Sequence, residues 1–243
     1  MKVFIAGSSG ATGQKLTAQL LERGHQVVTV VRSANGLPDD IRNHSNISVT
    51  QASLLDLTDT QLQELLKECD AVASCLGHNM SFKGMYGHPR RLVADATRRL
   101  CEVVRANQPQ KPVKFVLMNT VGNHNPDVDA PLSFGEKVVI GLLRVLLPPQ
   151  ADNEAAANYL RTQINGNKSM IEWSAVRPDS LLDEDTVTEY TLHPSPTRSP
   201  IFDPGKTSRI NVGHFMAKLI TNDATWQQWK GQMPVIYNNI YEN

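Results

Sequence analysis

The chain of 243 residues carries 24 basic and 24 acidic side chains, so it has no overall field with which to gather phosphodiesters or an anionic lipid surface. Nucleic acid and membrane are therefore not expected as partners, and the length allows one domain with a large core. The three cysteines, Cys69, Cys75 and Cys101, are odd in number and lack CxxC spacing, which suits reduced thiols rather than a disulfide framework.

Val3 to Ala6 reads as a short buried strand, so no secretory leader is expected and the cytoplasm is the expected compartment. Ala11 to Glu22 places Leu16, Leu20 and Leu21 on one helical face before Gly24, and Val27 to Val31 is the next β-branched run. Together these make a βαβ unit. The alternation continues with a strand at Ile47 to Gln51, a helix at Thr58 to Lys67 with Leu62, Leu65 and Leu66 inward, and a strand at Ala71 to Leu76. Pro89 opens a longer helix in which Leu92, Ala96, Leu100 and Val103 recur at core-facing positions, while Arg90, Arg91, Arg98 and Arg99 lie largely elsewhere. Val113 to Met118 is a further strand, and Ile171 to Val176 another.

Between these two strands, the apolar run Val138 to Leu147 carries Arg144 and falls short of the roughly twenty residues that span a bilayer. It could cover a substrate cleft or form a homodimer contact, with core packing as the default. Asp152-Asn153-Glu154 reads as the start of the helix carrying Tyr159 and Leu160, where carboxylates suit the positive end of the dipole. The loops Asn123 to Leu132 and His193 to Gly205 read as substrate-side loops, and Trp226 and Trp229 as packing residues. Strands separated by helices argue for an α/β fold with a doubly wound parallel sheet of Rossmann type. The expected organisation is a single domain over the whole chain, with its core running through Pro178 and a small C-terminal substrate-side lobe from Asp179 onward.

Gly7, Gly10 and Gly13, in Gly7-Ser8-Ser9-Gly10-Ala11-Thr12-Gly13, follow the first strand and open the first helix. Glycines so placed let the chain turn sharply, let backbone approach a pyrophosphate and let helix and strand pack closely, with the first helical N–H groups facing the phosphates. Dinucleotide binding is the functional reading of the turn; a glycine-rich turn used only for packing is the bland one. The second strand ends Val30-Val31-Arg32-Ser33, where NAD-preferring proteins usually carry an acidic residue on the ribose 2′-hydroxyl. A guanidinium and a hydroxyl there suit a 2′-phosphate, which points to NADP(H), unless Arg32 is simply an exposed strand-end charge.

With these residues in place, the chain resembles the atypical short-chain dehydrogenase/reductases, in particular the NmrA-like and NAD(P)H-binding group that includes flavin reductase and biliverdin reductase B-like proteins. The resemblance covers nearly the whole chain. It rests on the glycine turn, Arg32, Ser74-Cys75-Leu76-Gly77, Asn119-Thr120-Val121-Gly122, Val176-Arg177-Pro178 and Ser208-Arg209-Ile210-Asn211-Val212. It implies that Ser53 and Leu54 flank the adenine, although the family often has Asp where Ser53 stands. It implies also that Leu76 and Gly77 pass close to the ribose and nicotinamide, and that Arg177 and Pro178 line the substrate side. The candidate cofactor set is thus Gly7, Ser9, Gly10, Ala11, Thr12, Gly13, Arg32, Ser33, Ser53, Leu54, Leu76, Gly77, Asn119, Thr120, Arg177 and Pro178. Thr120 falls where the family places a Ser or Thr hydroxyl near the nicotinamide and is the one catalytic candidate; a strand-end hydroxyl bonding nearby backbone is the alternative.

The chain lacks the Tyr-x-x-x-Lys pair of the larger superfamily: the residues four after Tyr86, Tyr159, Tyr190 and Tyr237 are Arg90, Gln163, Pro194 and Tyr241. Ordinary alcohol dehydrogenation is demoted accordingly. A conjugated acceptor of the flavin, quinone or tetrapyrrole type spreads the incoming charge and can take its proton from water, so an NADPH-dependent reductase of such a small molecule is the leading expectation. A non-enzymatic NADP(H)-sensing regulator of NmrA type is the alternative, and an isomerase or epimerase retaining its dinucleotide ranks third. His78, His88 and Cys75 have no paired-ligand spacing, so no metal is expected and His78 is placed instead at the nicotinamide pocket. A Ser-His-Asp hydrolase lacks its G-x-S-x-G elbow.

Overall fold

The computed structural model describes residues 1–78, 86–131, 133–164 and 170–239. Strands β1 (Lys2–Ala6), β2 (Gln26–Val31), β3 (Ile47–Gln51), β4 (Ala71–Ser74), β5 (Val113–Met118) and β6 (Ile171–Pro178) alternate with helices. The helices are α1 (Ala11–Glu22), α2 (Asp39–Arg42), α3 (Asp59–Leu66), α4 (Leu92–Ala106), α5 (Phe134–Leu146) and α6 (Pro148–Gln163). The C-terminal portion adds β7 (Ser180–Leu182), β8 (Tyr190–His193), β9 (Lys206–Ser208), α7 (Arg209–Thr221), α8 (Asp223–Trp229) and β10 (Val235–Asn238). The main sheet has the order β3-β2-β1-β4-β5-β6-β10-β8, parallel throughout except for β8 against β10, while β7 and β9 form a separate parallel pair. The order reverses between β1 and β4, and ligands of open α/β sheets bind in the crevice at the carboxyl ends of strands flanking such a point.

Strand alternation sends β1 into two cores. Val3 and Ile5 pack with Leu16 and Leu20 of α1, Phe215 of α7 and Trp226 of α8, whereas Phe4 and Ala6 pack with Leu62 of α3, Leu100 of α4 and Leu160 of α6. Both faces are covered, which is why the strand reads as an unbroken apolar run. Trp226 and Trp229 are buried as packing residues. The C-terminal portion divides its work: β10 and β8 extend the sheet and α7 packs on α1, while β7 pairs with β9, and Ser180 of β7 and Pro200 and Ile201 of the loop between β8 and β9 line a cavity with Thr120. Among the described residues no helix is long and apolar enough to cross a membrane.

Several boundaries differ from expectation. Strand β4 stops at Ser74 because its ladder partner β1 ends at Ala6, after which Gly7 turns at φ +82°. Helix α4 starts at Leu92 rather than Pro89, where the carboxylate of Asp152 accepts the N–H groups of Val93 and Ala94 at 2.8 and 2.9 Å. Asp152 therefore does not open its own helix, which begins at Pro148. From the second turn of α6 it caps the positive end of α4. The apolar run of α5 is not core either: Phe134, Val138, Leu142 and Leu146, four residues apart, are 83, 55, 57 and 51% exposed, while Ile140 is buried. Leu132 and Tyr241 lie outside the described residues.

Arg177, expected against the cofactor, is committed to the protein. Its side chain is fully buried and paired with Asp129 at 2.5 and 3.0 Å, and it donates also to the carbonyls of Met233, Asn123 and Pro194. It thereby ties the end of β6 to the loops after β5 and β8 and to Met233, two residues before β10. Removing one partner of such a pair leaves an uncompensated buried charge, so Arg177→Met should lose about 3–5 kcal/mol of stability by urea unfolding. An unfolding midpoint matching the parent would contradict this role.

Candidate functional site

The glycine turn is built on contacts that no side chain could share. A Cβ on Gly7 would lie 2.7 Å from the Cys75 carbonyl, and one on Gly13 would lie 2.0 Å from the Gly7 oxygen. Both glycines let α1 begin directly above β1, against the end of β4. Gly10 is the N-cap of α1, with no side-chain cap bond and no acidic residue in the first turn. The N–H groups of Ala11, Thr12 and Gly13 thus form an uncapped positive helix end at the crevice, as a pyrophosphate requires. Ser8 faces inward, its hydroxyl 2.6 Å from that of Thr29, which donates to the Ile5 carbonyl at 2.7 Å. Ser9 is half-buried on the outer side.

Two side chains that sequence reading left out position the loops after β2 and β3. Gln14 Nε2 donates to the carbonyls of Ser9 and Gly36, at 3.1 and 3.0 Å, and so joins the glycine turn to the loop after β2. That loop carries Arg32 and Ser33, both exposed, and Arg32 has no ion-pair partner among the described residues. Arg99 of α4 donates to the carbonyls of Leu54 and Leu55, at 3.1 and 2.8 Å, to that of Leu57, and to Asp59. It holds the loop bearing Ser53, which is half-buried; the Leu54 side chain belongs to the core. No spacing in the sequence couples either residue to its carbonyls, because both sets come together only in the fold.

Leu76 is half-buried and Gly77 exposed beside the glycine turn. Burial pushes the Cys75 thiol up to about 12, so it packs as a neutral group. His78 is only 3% exposed in its side chain, and its Nε2 lies 2.8 Å from Asp152 Oδ2. The ring is fastened to the carboxylate that caps α4, which anchors the segment after β4.

At the end of β5, Asn119 Oδ1 accepts the N–H of Thr120 at 2.8 Å and the side-chain amide of Asn123 at 3.3 Å, while its Nδ2 donates to the Asn153 carbonyl at 2.9 Å. This buried amide is a brace between β5 and α6, not the expected cofactor contact. Pro178 is buried and its carbonyl accepts Val121 N–H at 3.0 Å, a structural place as well. Thr120 is half-buried and lines a cavity of about 240 Å³ with Gly122, Ile140, Gln150, Asp179 and Ile201 among its walls. Its Oγ1 accepts Gly122 N–H at 3.2 Å, leaving its own hydroxyl proton to donate. Asp179 was not singled out from sequence, although it directly follows Arg177-Pro178. Burial raises its carboxyl above the usual aspartate range against the backbone donors of Gly205 and Ser180.

The geometry thus brings the turn, Arg32, Ser33, Leu76, Gly77 and Thr120 to the carboxyl end of the sheet and withdraws the side chains of Asn119, Arg177 and Leu54 from it. Gln14→Ala should weaken binding of a reduced nicotinamide dinucleotide by about fivefold or more in a fluorescence titration, since two hydrogen bonds at about 0.5–1.5 kcal/mol each organise the two loops. An unchanged Kd would separate Gln14 from the site.

No curated protein matches the chain. The computed fold resembles the anaerobillin reductase ChuY from Escherichia coli O157:H7, with 15% identity, full coverage of both chains and a TM-score of 0.68. It resembles a short-chain dehydrogenase/reductase from Veillonella parvula solved in complex with NADP, with 15% identity over 98% of this chain and 94% of that one and a TM-score of 0.69. The oxidoreductase ylbE from Lactococcus lactis has 17% identity, 98 and 91% coverage and a TM-score of 0.69. At such identities the likeness is one of fold. The sequence model of the NAD(P)H-binding family, however, matches residues 7–223, from the first glycine of the turn to the start of α8, and the chain belongs to that family.

Proposed function

We propose that the protein is an NADPH-dependent reductase of a small conjugated acceptor. The observation that carries this reading is the common placement of two features at the carboxyl end of one sheet. An uncapped helix terminus with a free-standing Arg32 lies at the β1 and β2 ends, and a small cavity walled by Thr120 lies at the β5 end. Bound NADPH would supply the hydride. The residues present fit it: Gly7 and Gly13 leave the backbone bare, Ala11, Thr12 and Gly13 offer their N–H groups to the pyrophosphate, and Arg32 and Ser33 meet the 2′-phosphate. Thr120, held by Gly122 N–H, orients the acceptor by donating its hydroxyl proton. The anaerobillin reductase of the same fold lends support to conjugated acceptors as a class.

Arg32→Glu should raise the NADPH Kd by about a hundredfold, through loss of one charge-assisted contact and gain of a like-charge one, while leaving NADH binding within a few-fold of the parent. Equal losses for both cofactors would remove the 2′-phosphate assignment. Thr120→Val should lower turnover with menadione about tenfold at unchanged NADPH affinity; turnover equal to the parent would take the hydroxyl out of the mechanism. Tight NADPH binding without oxidation by flavin, quinone, dicarbonyl or biliverdin would favour a cofactor-sensing regulator instead.

A further inference from the structure

The cavity beside Thr120 has in its wall a carboxyl group, that of Asp179, held by backbone donors and by no cation among the described residues. Asp179 follows β6 directly, and its Oδ1 and Oδ2 accept the N–H groups of Ser180 and Gly205, each at 2.8 Å. These bonds fix the plane of the group while joining the end of β6 to the loop before β9. The other two carboxylates around the adjoining cavity are differently placed. Asp129 is paired with Arg177, and Glu136 accepts from Ser199 Oγ at 2.7 Å and from Ser133 N and Oγ at 2.9 and 2.8 Å, bonds that hold it below the usual range.

Asp179 has no cation within ion-pair distance among the described residues. The nearby Arg198 guanidinium is engaged with Asp203 at 3.0 and 3.1 Å, and the other titratable neighbour, Tyr237, is itself raised by burial. Burial outweighs the backbone donors and the field of Arg198, so the carboxyl is held toward its neutral form. The cavity walls combine Val121, Ile140 and Ile201 with the polar groups of Thr120, Gln150 and Asp179. Its volume of about 240 Å³ lies under the roughly 300–1,000 Å³ usual for larger organic ligands. That suits a compound of one or two rings.

We propose that Asp179 is the proton donor of the reductase, acting on a small conjugated carbonyl acceptor, an enone or quinone, held between Thr120 and Asp179. This rests on the reductase reading above. Reduced nicotinamide, when bound, would supply a hydride that bonds to the acceptor, whose π electrons would move onto the carbonyl oxygen. The Asp179 O–H bond would break as that oxygen takes the proton. The acceptor would gain two electrons at the expense of the reduced nicotinamide, and the Asp179 carboxylate would regain its proton from water. The donor must be protonated, so turnover is highest below its pKa and falls as pH rises through it.

The test follows the γ-carboxyl carbon of Asp179 by NMR across pH in the cofactor-free protein, with the signal identified by its loss in Asp179→Asn. In parallel, NADPH affinity and the pH profile of kcat with menadione are measured for the parent, Asp179→Asn and Asp179→Glu. The expected results are a titration midpoint above the ordinary value of about 3.9 and a parent kcat that falls as pH rises. Asp179→Asn should lose about a hundredfold in kcat and its pH limb with NADPH affinity kept, and Asp179→Glu should recover part of the rate. A midpoint at or below the ordinary value, or Asp179→Asn turning over within about threefold of the parent, overturns the donor role and leaves the reductase standing. NADPH binding without menadione reduction by the parent overturns the reductase reading and the donor with it. If Asp179→Asn does not fold, the signal is identified through Asp179→Glu, and the parent's titration and pH profile decide the question.

Discussion

The packing of Gly13 against the Gly7 carbonyl fixes more of this molecule than any other contact. An approach that would put a side-chain carbon 2.0 Å from a backbone oxygen admits only glycine, and it brings the first turn of α1 down onto the end of β1. From there the cofactor side follows in order. The helix terminus opens into the crevice where β1 and β4 part. Gln14, one residue further, reaches both Ser9 and Gly36, and the loop bearing Arg32 is drawn beside the turn. Gly7, pressed against Cys75 and Leu76, sets the course of the segment after β4 in the same way.

A chain with balanced charge does its electrostatic work locally, and four acidic side chains take four different parts in it. Asp152 caps α4 and holds His78; Asp129 neutralises the buried Arg177; Glu136 bonds Ser199 and so ties α5 to the loop over the cavity; Asp179, in the cavity wall, is shifted upward by burial. Buried charge is tolerated where geometry is saturated, as at Arg177, whose donors reach Asp129 and three carbonyls. That saturation ties the loops after β5 and β8 to the end of β6.

Local patterns in the sequence carried much of this. The β-branched runs and the glycine turn made β1, α1 and β2 legible, because both depend on neighbours a few residues away. The positions of Arg32, Thr120 and the buried tryptophans were legible for the same reason. What depends on distant partners was not. Asp152 looked like a helix start although it serves a helix some sixty residues earlier, with 59 positions between it and Val93. Arg177 looked like a ligand contact, yet its partner Asp129 lies 48 positions away. Spacing alone puts Arg99 off the core face of its helix and gives Gln14 no reading at all, yet both are loop braces. Asp179 stood beside a quoted motif, but only burial among Thr120, Gln150 and Ile201 gives its carboxyl a chemical part.

The most direct test of the account is an equilibrium titration of the parent protein with NADPH and, separately, NADH, read by nicotinamide fluorescence. The arrangement of the glycine turn, Gln14 and Arg32 predicts saturable binding of both at one site per chain, with NADPH tighter by about tenfold or more. Absence of binding, or equal affinity for the two, would contradict the assignment of this crevice to NADP(H).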